Sequence, residues 1–533
     1  MPRKMSLFSI VMLTLSAIIG SGWLFGSGMA AHIAGPAAIL SWILGGIIIG
    51  VIALNYIELG TMFPTSGGMS QYASFSHGPL LGFVAGWANW ISLLTIIPIE
   101  AVAAVQYMSS WPWSWANWTQ VFIQKENITN LGLAVVFLFI LAFTLLNFWS
   151  IRLLTSFTSL ISVFKILIPL MTIIILFITG FHGSNFQTAA GFMPYGSDTI
   201  FTATTSAGII FSYNAFQTTI NMGNEIEKPE KNIFWGIVIA FGISMVIYTF
   251  LQIAFIGAVP TSRLEIMGWH GINFQSPFAD IAILLNLSWL ANLLYLDAFV
   301  SPFGTGVSFV ATTSRALAAM TQTRHLPTLL GQLNQKYKTP RRAMIVNMFL
   351  GVIMVAVFRN WSALSNVIST STLIAYLTGP ITLMSFRRHG TNLKRPFRLY
   401  GAAILAPAAY ILASLAIYWA KWPTTIEVFG VIMIGLVFYI FYELRQPSSR
   451  KKLFSSLRGT RWLFCEMLWL TIMSLVGSDQ FGGNGWVSYP IDFIFVIVGS
   501  LCCYLMGVHD SYTSRETMVA YELNQQVEIK KRG

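Results

Sequence analysis

A few residues in this sequence are of types, and at spacings, that could do chemistry. The stretch SAIIGSGWLF, Ser16 to Phe25, interrupts a long apolar run with Gly20, Ser21 and Gly22. A second run, SAGIIFSYNAFQTTINMGNE, carries Gly208 and then Ser212, Tyr213, Asn214 and Gln217 at its middle. A helix broken inside an apolar layer exposes N–H groups with positive dipole on one half and free carbonyls on the other. Glycine lets backbone approach a ligand closely. Amides near Ser21 and Gly22 suit a carboxylate, and carbonyls around Ile18 suit a cation or an ammonium. The zwitterion of an amino acid matches such a pair of ends. The competing reading is a packing face of small residues, because Gly22 to Gly26 is also GxxxG. The spacing GxGxxxG, with no strand before it, excludes a dinucleotide fingerprint.

Lys165 stands deep in SLISVFKILIPLM, ~15 Å from the nearer end of its run, too far for easy snorkelling. An ammonium there faces the bundle interior, and gain and loss of its proton could couple a solute to protons. Four acids also fall within or near apolar runs. Glu58 is expected to pair or cap at a helix end, and Asp280 to sit at an outer helix start. Glu100, just after Pro98, and Asp297, before Pro302 and Gly304, could bind a substrate amine, relay protons or hold a structural partner. Ser301, Thr305, Ser308 and Thr312 form a polar line in the same run as Asp297, three of them at i, i+3, i+7 spacing. Hydroxyls so placed either line a pathway or fasten helices together.

The elements that position these groups are membrane spans. Of 533 residues, 55% are hydrophobic and 9% charged, against roughly 25% charged in soluble domains. The chain is an all-α polytopic membrane protein. Apolar runs near 6–34, 37–62, 79–109, 131–148, 155–179, 198–222, 233–259, 279–319, 342–358, 362–386, 400–420, 424–444, 461–478 and 487–508 give about fourteen spans. With the N-terminus inside, the outward loops hold only Lys125, Arg263, Arg359 and Lys421, and Lys165 lies within a span. All other Lys and Arg fall at cytoplasmic ends, so both termini are expected to be cytoplasmic.

The same distribution explains a net charge of +12 without nucleic acid. Cys465, Cys502 and Cys503 form no framework, and the seven histidines are too scattered to hold a haem. No metal or cofactor is expected, and no nucleophile constellation supports an enzyme. The N-terminal run opens like a signal peptide but lacks a small-residue cleavage site, and is expected to be the first span. The basic loop Arg445–Arg461 sets the last two spans apart, and 509–533 reads as a cytoplasmic tail.

The interrupted runs are the first and the sixth. If spans one to five and six to ten are inverted repeats, the breaks correspond, which points to a transporter site at the bilayer midplane. The expected division is a ten-helix core over 1–400, with repeats near 5–180 and 197–386, and four further helices over 400–508.

AIIGSGWLF, GPAAILSWILGG, NYIELGTMFPTSGGMSQYASFSHG, FKILIP and NEIEKPEKNI resemble the amino acid–polyamine–organocation (APC) permeases over roughly residues 5–400. GSGWLF and ISLLTIIPIEAV are most similar to the bacterial aspartate–proton symporter-like branch. The resemblance implies a LeuT-type 5+5 inverted-repeat core working by alternating access. It implies that Gly20, Ser21 and Gly22 bind a substrate carboxylate, and that Tyr213, Asn214 and Ala215 receive the amino group and frame the side chain. It also implies that Lys165 takes the place of a coupling ion, its amine on carbonyls of span one and on Ser308. The chain departs from the pattern at SYNAFQ, where Ala215 replaces a glycine and Gln217 an acid, and no arginine stands deep in the core to meet an anionic side chain. A proton-coupled amino-acid symporter of the inner or plasma membrane is therefore expected. An amino-acid or amine exchanger on the same fold, or a non-transporting sensor, are the rivals.

Overall fold

The computed structural model describes residues 5–64, 68–149, 151–187, 191–321, 325–337, 339–445 and 449–512. The first apolar run is two helices, α1 (Leu7–Ile18) and α2 (Gly22–Ala34), followed by α3 (Ala38–Met62). A short α4 (Gly68–His77) leads into the long α5 (Pro79–Ser109), then α6 (Asn130–Trp149) and α7 (Ile151–Thr179). The sixth run is three pieces, α8 (Asp198–Ser206), α9 (Ile209–Ser212) and α10 (Phe216–Asn221). It is followed by α11 (Pro229–Ala258), short α12 (Thr261–Met267) and α13 (Pro277–Leu284), and the long α14 (Ser288–Met320). Then come α15 (Arg341–Phe358), α16 (Trp361–His389), α17 (Ala402–Tyr418), α18 (Thr424–Glu443), α19 (Ser449–Val476) and α20 (Ile491–Asp510).

Every expected span coincides with one of these helices or with a broken set of them. Among the described residues nine helical stretches are long and apolar enough to cross a membrane, and α1 and α17 are shorter apolar helices. The eighth run, expected to be continuous over 279–319, is divided. Asn286 takes a left-handed backbone (φ 60°) between α13 and α14. Asp280 lies in the first turn of α13 and accepts from the Ser276 N–H at 2.9 Å, satisfying a helix-start donor.

Helices α5 and α16 are buried along nearly their whole length, and α5 packs along both α14 and α16. Outer helices instead expose apolar side chains: Leu131, Leu138 and Leu145 repeat every seven residues on α6, and Ile434, Val437 and Phe441 follow on α18. In water such faces would be a liability, but against lipid they are the solvated side.

Met5 pairs with the backbone of Glu225 and Glu227, and Gly223 packs on Pro64. The start of α1, the end of α3 and the end of the sixth run therefore share one end of the bundle. Tyr512 donates its N–H to the Ser76 carbonyl beside α4, and Nε2 of His77 lies 2.9 Å from the Gly507 carbonyl. The last described residues thus return to the same end. The expected tail beyond Tyr512 lies outside the described residues.

Glu58, fully buried near the end of α3, accepts from Arg387 at 2.6 Å and 3.2 Å and from the Leu399 N–H at 2.7 Å. It ties α3, α16 and the segment before α17 together. Removing one partner of a buried ion pair costs about 3–5 kcal/mol, and Arg395 at 3.4 Å supplies only partial compensation. Arg387→Ala should therefore lose about 3 kcal/mol of stability. The purified variant should show a clearly lower apparent Tm in detergent, and an unchanged Tm would count against this clamp.

Candidate functional site

Two unwound segments meet in the middle of the bundle. At the first, Ile19 is extended (φ −81°, ψ 94°) and ends α1, while Ser21 opens α2. At the second, Gly208 adopts a left-handed backbone (φ 77°). A Cβ on Gly208 would lie 2.5 Å from the Trp361 ring, so glycine is needed there for both conformation and space. Ala215, with φ −162° and ψ −3°, separates α9 from α10. The breaks touch: a side chain on Gly22 would run into the Ser212 hydroxyl.

The polar groups freed by the first break are taken up by neighbouring helices. The Ser21 N–H donates to both carboxylate oxygens of Glu100 on α5, each at 3.2 Å. Glu100 fills the notch beside Gly20, where a Cβ would stand 2.8 Å from Oε1. The Ile18 carbonyl accepts from Tyr248 of α11 at 3.0 Å. Nζ of Lys165 donates to the Ser16 carbonyl at 3.0 Å and to the Thr305 hydroxyl of α14 at 2.5 Å. Glu100, Lys165 and Asp297 are 0%, 2% and 1% exposed, and each lies within electrostatic reach of the other two.

The structure thus gathers Ile18, Gly20, Ser21, Gly22, Lys165, Glu100, Asp297 and Thr305 into one cluster. Ser308 is a correction. Its hydroxyl donates to the Gly304 carbonyl of its own helix at 2.8 Å, and the Lys165 amine reaches Thr305 instead. Three residues turn a helix by roughly 300°, so only one of the two hydroxyls can face Lys165. Thr312 likewise bonds back to the Ser308 carbonyl at 3.1 Å.

The second break divides its duties. Tyr213 is buried among the rings of Trp42, Phe241 and Tyr248, and its hydroxyl has no hydrogen-bond partner among the described residues. Asn214 turns away from the first break: its amide donates to Thr372 at 2.7 Å and to Ser92 at 3.2 Å. The Tyr376 hydroxyl lies 2.7 Å from the Asn214 side-chain oxygen and 2.5 Å from that of Gln217, with its one proton to donate between them. Ser92, Thr372 and Tyr376 were not singled out from sequence, although the run Ser369-Thr370-Ser371-Thr372 in mid-span was a signal for them.

Trp361, at the start of α16, closes one side. Its ring stacks on Phe25 at 5.0 Å and its Nε1 donates to the Ser21 hydroxyl at 3.2 Å. Beyond it opens a cavity of about 340 Å³ lined by His32, Gln106, Glu126 and Asn366 among others. Toward the other end, the hydroxyls of Thr14 and Thr219 meet at 2.6 Å and Met5 latches onto Glu225 and Glu227. The cluster is shut on both sides.

Broken helices converging on buried charges, between a vestibule and a closed opposite end, define a solute transporter. The family profile described as amino acid permease matches residues 5–459. The chain is 45% identical to the glutamate/serine transporter AimA of Bacillus subtilis, over 98% of this chain and 97% of the relative. It is 35% identical to the aspartate-proton symporter of the same organism, over 94% and 95%. Identity to the branched-chain amino acid permease BcaP, also from Bacillus subtilis, is 22%, over 83% and 93%. The chain belongs to the amino acid permease family; it is a multi-pass membrane transporter of the LeuT-type fold, and not an enzyme.

The contact of Gly22 with Ser212 sets a test. Overpacking costs about 1–3 kcal/mol, so Gly22→Ala should cut uptake at least about fivefold while the protein remains monodisperse. Adding Ser212→Gly, which removes the opposing side chain, should restore part of it. Wild-type uptake by Gly22→Ala would show that the two breaks need not touch.

Proposed function

We propose that this permease is a proton-coupled amino-acid symporter of the plasma membrane, with both termini cytoplasmic and a substrate range of acidic and small hydroxyl amino acids. The observation that carries the reading is the carboxylate of Glu100 on the Ser21 N–H, at the N-terminus of α2. That position already suits a carboxylate, by hydrogen bonding and by helix dipole. A substrate carboxylate binds at Gly20, Ser21 and Gly22 by displacing Glu100, while the substrate ammonium faces the carbonyls around Ile18 and the unwound Tyr213–Ala215. The names of the two closer relatives support the substrate range.

Lys165 carries the coupling. Protonated, it bridges the Ser16 carbonyl of α1 to Thr305 of α14 and holds the broken helix against the scaffold. Neutral, it keeps fewer donors and a weaker hold, so the proton count biases which side opens. The same reading takes 1–400 as the working core, with repeats near 5–180 and 197–386, and 400–508 as four added helices.

The direct test is uptake of labelled glutamate, aspartate and serine into proteoliposomes, with and without an inward proton gradient. A one-unit gradient supports about tenfold accumulation at one proton per substrate. Gradient-dependent accumulation is expected; flux seen only with a preloaded lumen would make the protein an exchanger. Lys165→Ala should abolish accumulation, and its persistence at wild-type level would remove Lys165 from the coupling. Glu100→Gln cannot compete as an anion for the Ser21 N–H, so KM at high pH should fall below the wild-type value, whatever pH dependence Lys165 retains. An unchanged KM at high pH would contradict the displacement.

A further inference from the structure

Asp297 is the least satisfied buried group near the site. Both of its carboxylate oxygens lack a hydrogen-bond partner among the described residues, and it is 1% exposed. One turn further along α14, the hydroxyl of fully buried Ser301 is also without a partner. One more turn brings Thr305, whose hydroxyl accepts from Lys165 and donates to the Ser301 backbone carbonyl at 3.1 Å. Positions 297, 301 and 305 follow i, i+4, i+8 spacing, so they share a helix face with steps of about 6 Å along the axis. Pro302, within the same turn, has no N–H for the Ala298 carbonyl and leaves another polar atom beside the file. A buried polar group left unpaired costs about 1–3 kcal/mol, and two in succession leading to the coupling lysine call for a use.

The file also has a direction. Tyr295, next to Asp297, donates to the Ser110 carbonyl at the end of α5, and Gln106 in the last turn of α5 lines the cavity beyond Trp361. Asp297 is therefore the member nearest the cavity end, and Lys165 is the inner terminus. The substrate's course, past Phe25 and Trp361 to Ser21, runs along α2 and α16 instead.

We infer that Asp297, Ser301 and Thr305 form a proton path to Lys165 that is separate from the substrate path. The inference rests on the proton-coupled reading above. A proton from the cavity side binds the Asp297 carboxylate. The Ser301 hydroxyl, without a hydrogen-bond partner among the described residues, turns to accept from Asp297 and donate to Thr305, and Thr305 turns its own proton from the Ser301 carbonyl to the neutral amine of Lys165. Each hydroxyl finishes as it began, and the net change is one proton moved from carboxyl to amine. The titratable groups within electrostatic reach of Asp297 among the described residues are Lys165 on α7 and Glu100 and Tyr107 on α5. Glu100 is engaged by the Ser21 N–H, which leaves Asp297 as the carboxylate free to receive the proton.

The test is the number of protons entering per substrate molecule, from a pH dye and labelled substrate in the same proteoliposomes of the full chain. In Asp297→Asn the ratio should fall at least about fivefold, in Ser301→Ala at least about twofold, and Asp297→Glu should recover most of it. If uptake and proton influx fall together with the ratio unchanged, Asp297 is structural and the inference is wrong. Should Asp297→Asn fail to fold, an unchanged ratio in Ser301→Ala overturns the path. A wild-type protein that moves substrate with no proton influx would instead sink the proton-coupled reading itself.

Discussion

Inside a bilayer no water is at hand for a broken helix, and every backbone group freed by the break must find a partner in the protein. The arrangement around Gly20 follows from that constraint. The Ser21 N–H takes Glu100, the Ile18 carbonyl takes Tyr248, and the Ser16 carbonyl takes Lys165. These partners are side chains on three different helices, α5, α11 and α7. The break is thus satisfied by groups that can leave, where backbone within one regular helix cannot. A ligand bearing a carboxylate and an ammonium offers the same kinds of partner, which is the ground for the proposed substrate site at the break.

Satisfying the backbone in this way creates a second demand. Glu100 and Lys165 are themselves buried, and a charge in low dielectric persists only with close compensation. The long α5 and α16 give the rigid walls for this, being buried along nearly all their length. The polar network of Ser92, Asn214, Thr372, Tyr376 and Gln217 joins the second break to these same two helices. One break is therefore held to the scaffold by neutral hydrogen bonds and the other by ionisable groups. Under the proposed coupling, only the latter changes its grip with proton count, so α1 and α2 are the parts that would respond to a proton.

What could be read in the sequence were the violations of local rule. Glycines and a serine inside an apolar run, a lone lysine deep in a span and acids beside prolines each contradict their surroundings, and such conflicts concentrate where function requires them. The spans were legible for the converse reason, since about twenty apolar residues have few other uses. What was not legible depended on helix rotation or on long-range contact. Thr305 and Ser308 are equally polar and three residues apart, and only the packed rotation of α14 decides which meets Lys165. Asn214 belongs to the unwound segment by sequence, yet its amide is turned to α5 and α16 by partners 122 and 158 residues away. The division of the eighth run at Asn286 is a local backbone choice that hydropathy does not register.

The charge count of the cluster then constrains the mechanism. Glu100, Asp297 and Lys165, all ionised, sum to one negative charge in a buried site. With Lys165 neutral the sum is two negative charges, and the proton that the proposed cycle delivers to its amine brings it to one. A zwitterionic substrate such as serine adds nothing to it, because its carboxylate and ammonium cancel. An acidic substrate adds one further negative charge with no arginine deep in the core to meet it. Under the proposed reading, low dielectric, which costs several kcal/mol per unpaired ion, asks for one proton more with an anionic substrate than with a zwitterion. Two carboxylates beside one lysine, with a hydroxyl file leading to them, give the site the capacity to hold it. A single lysine would serve for neutral amino acids alone.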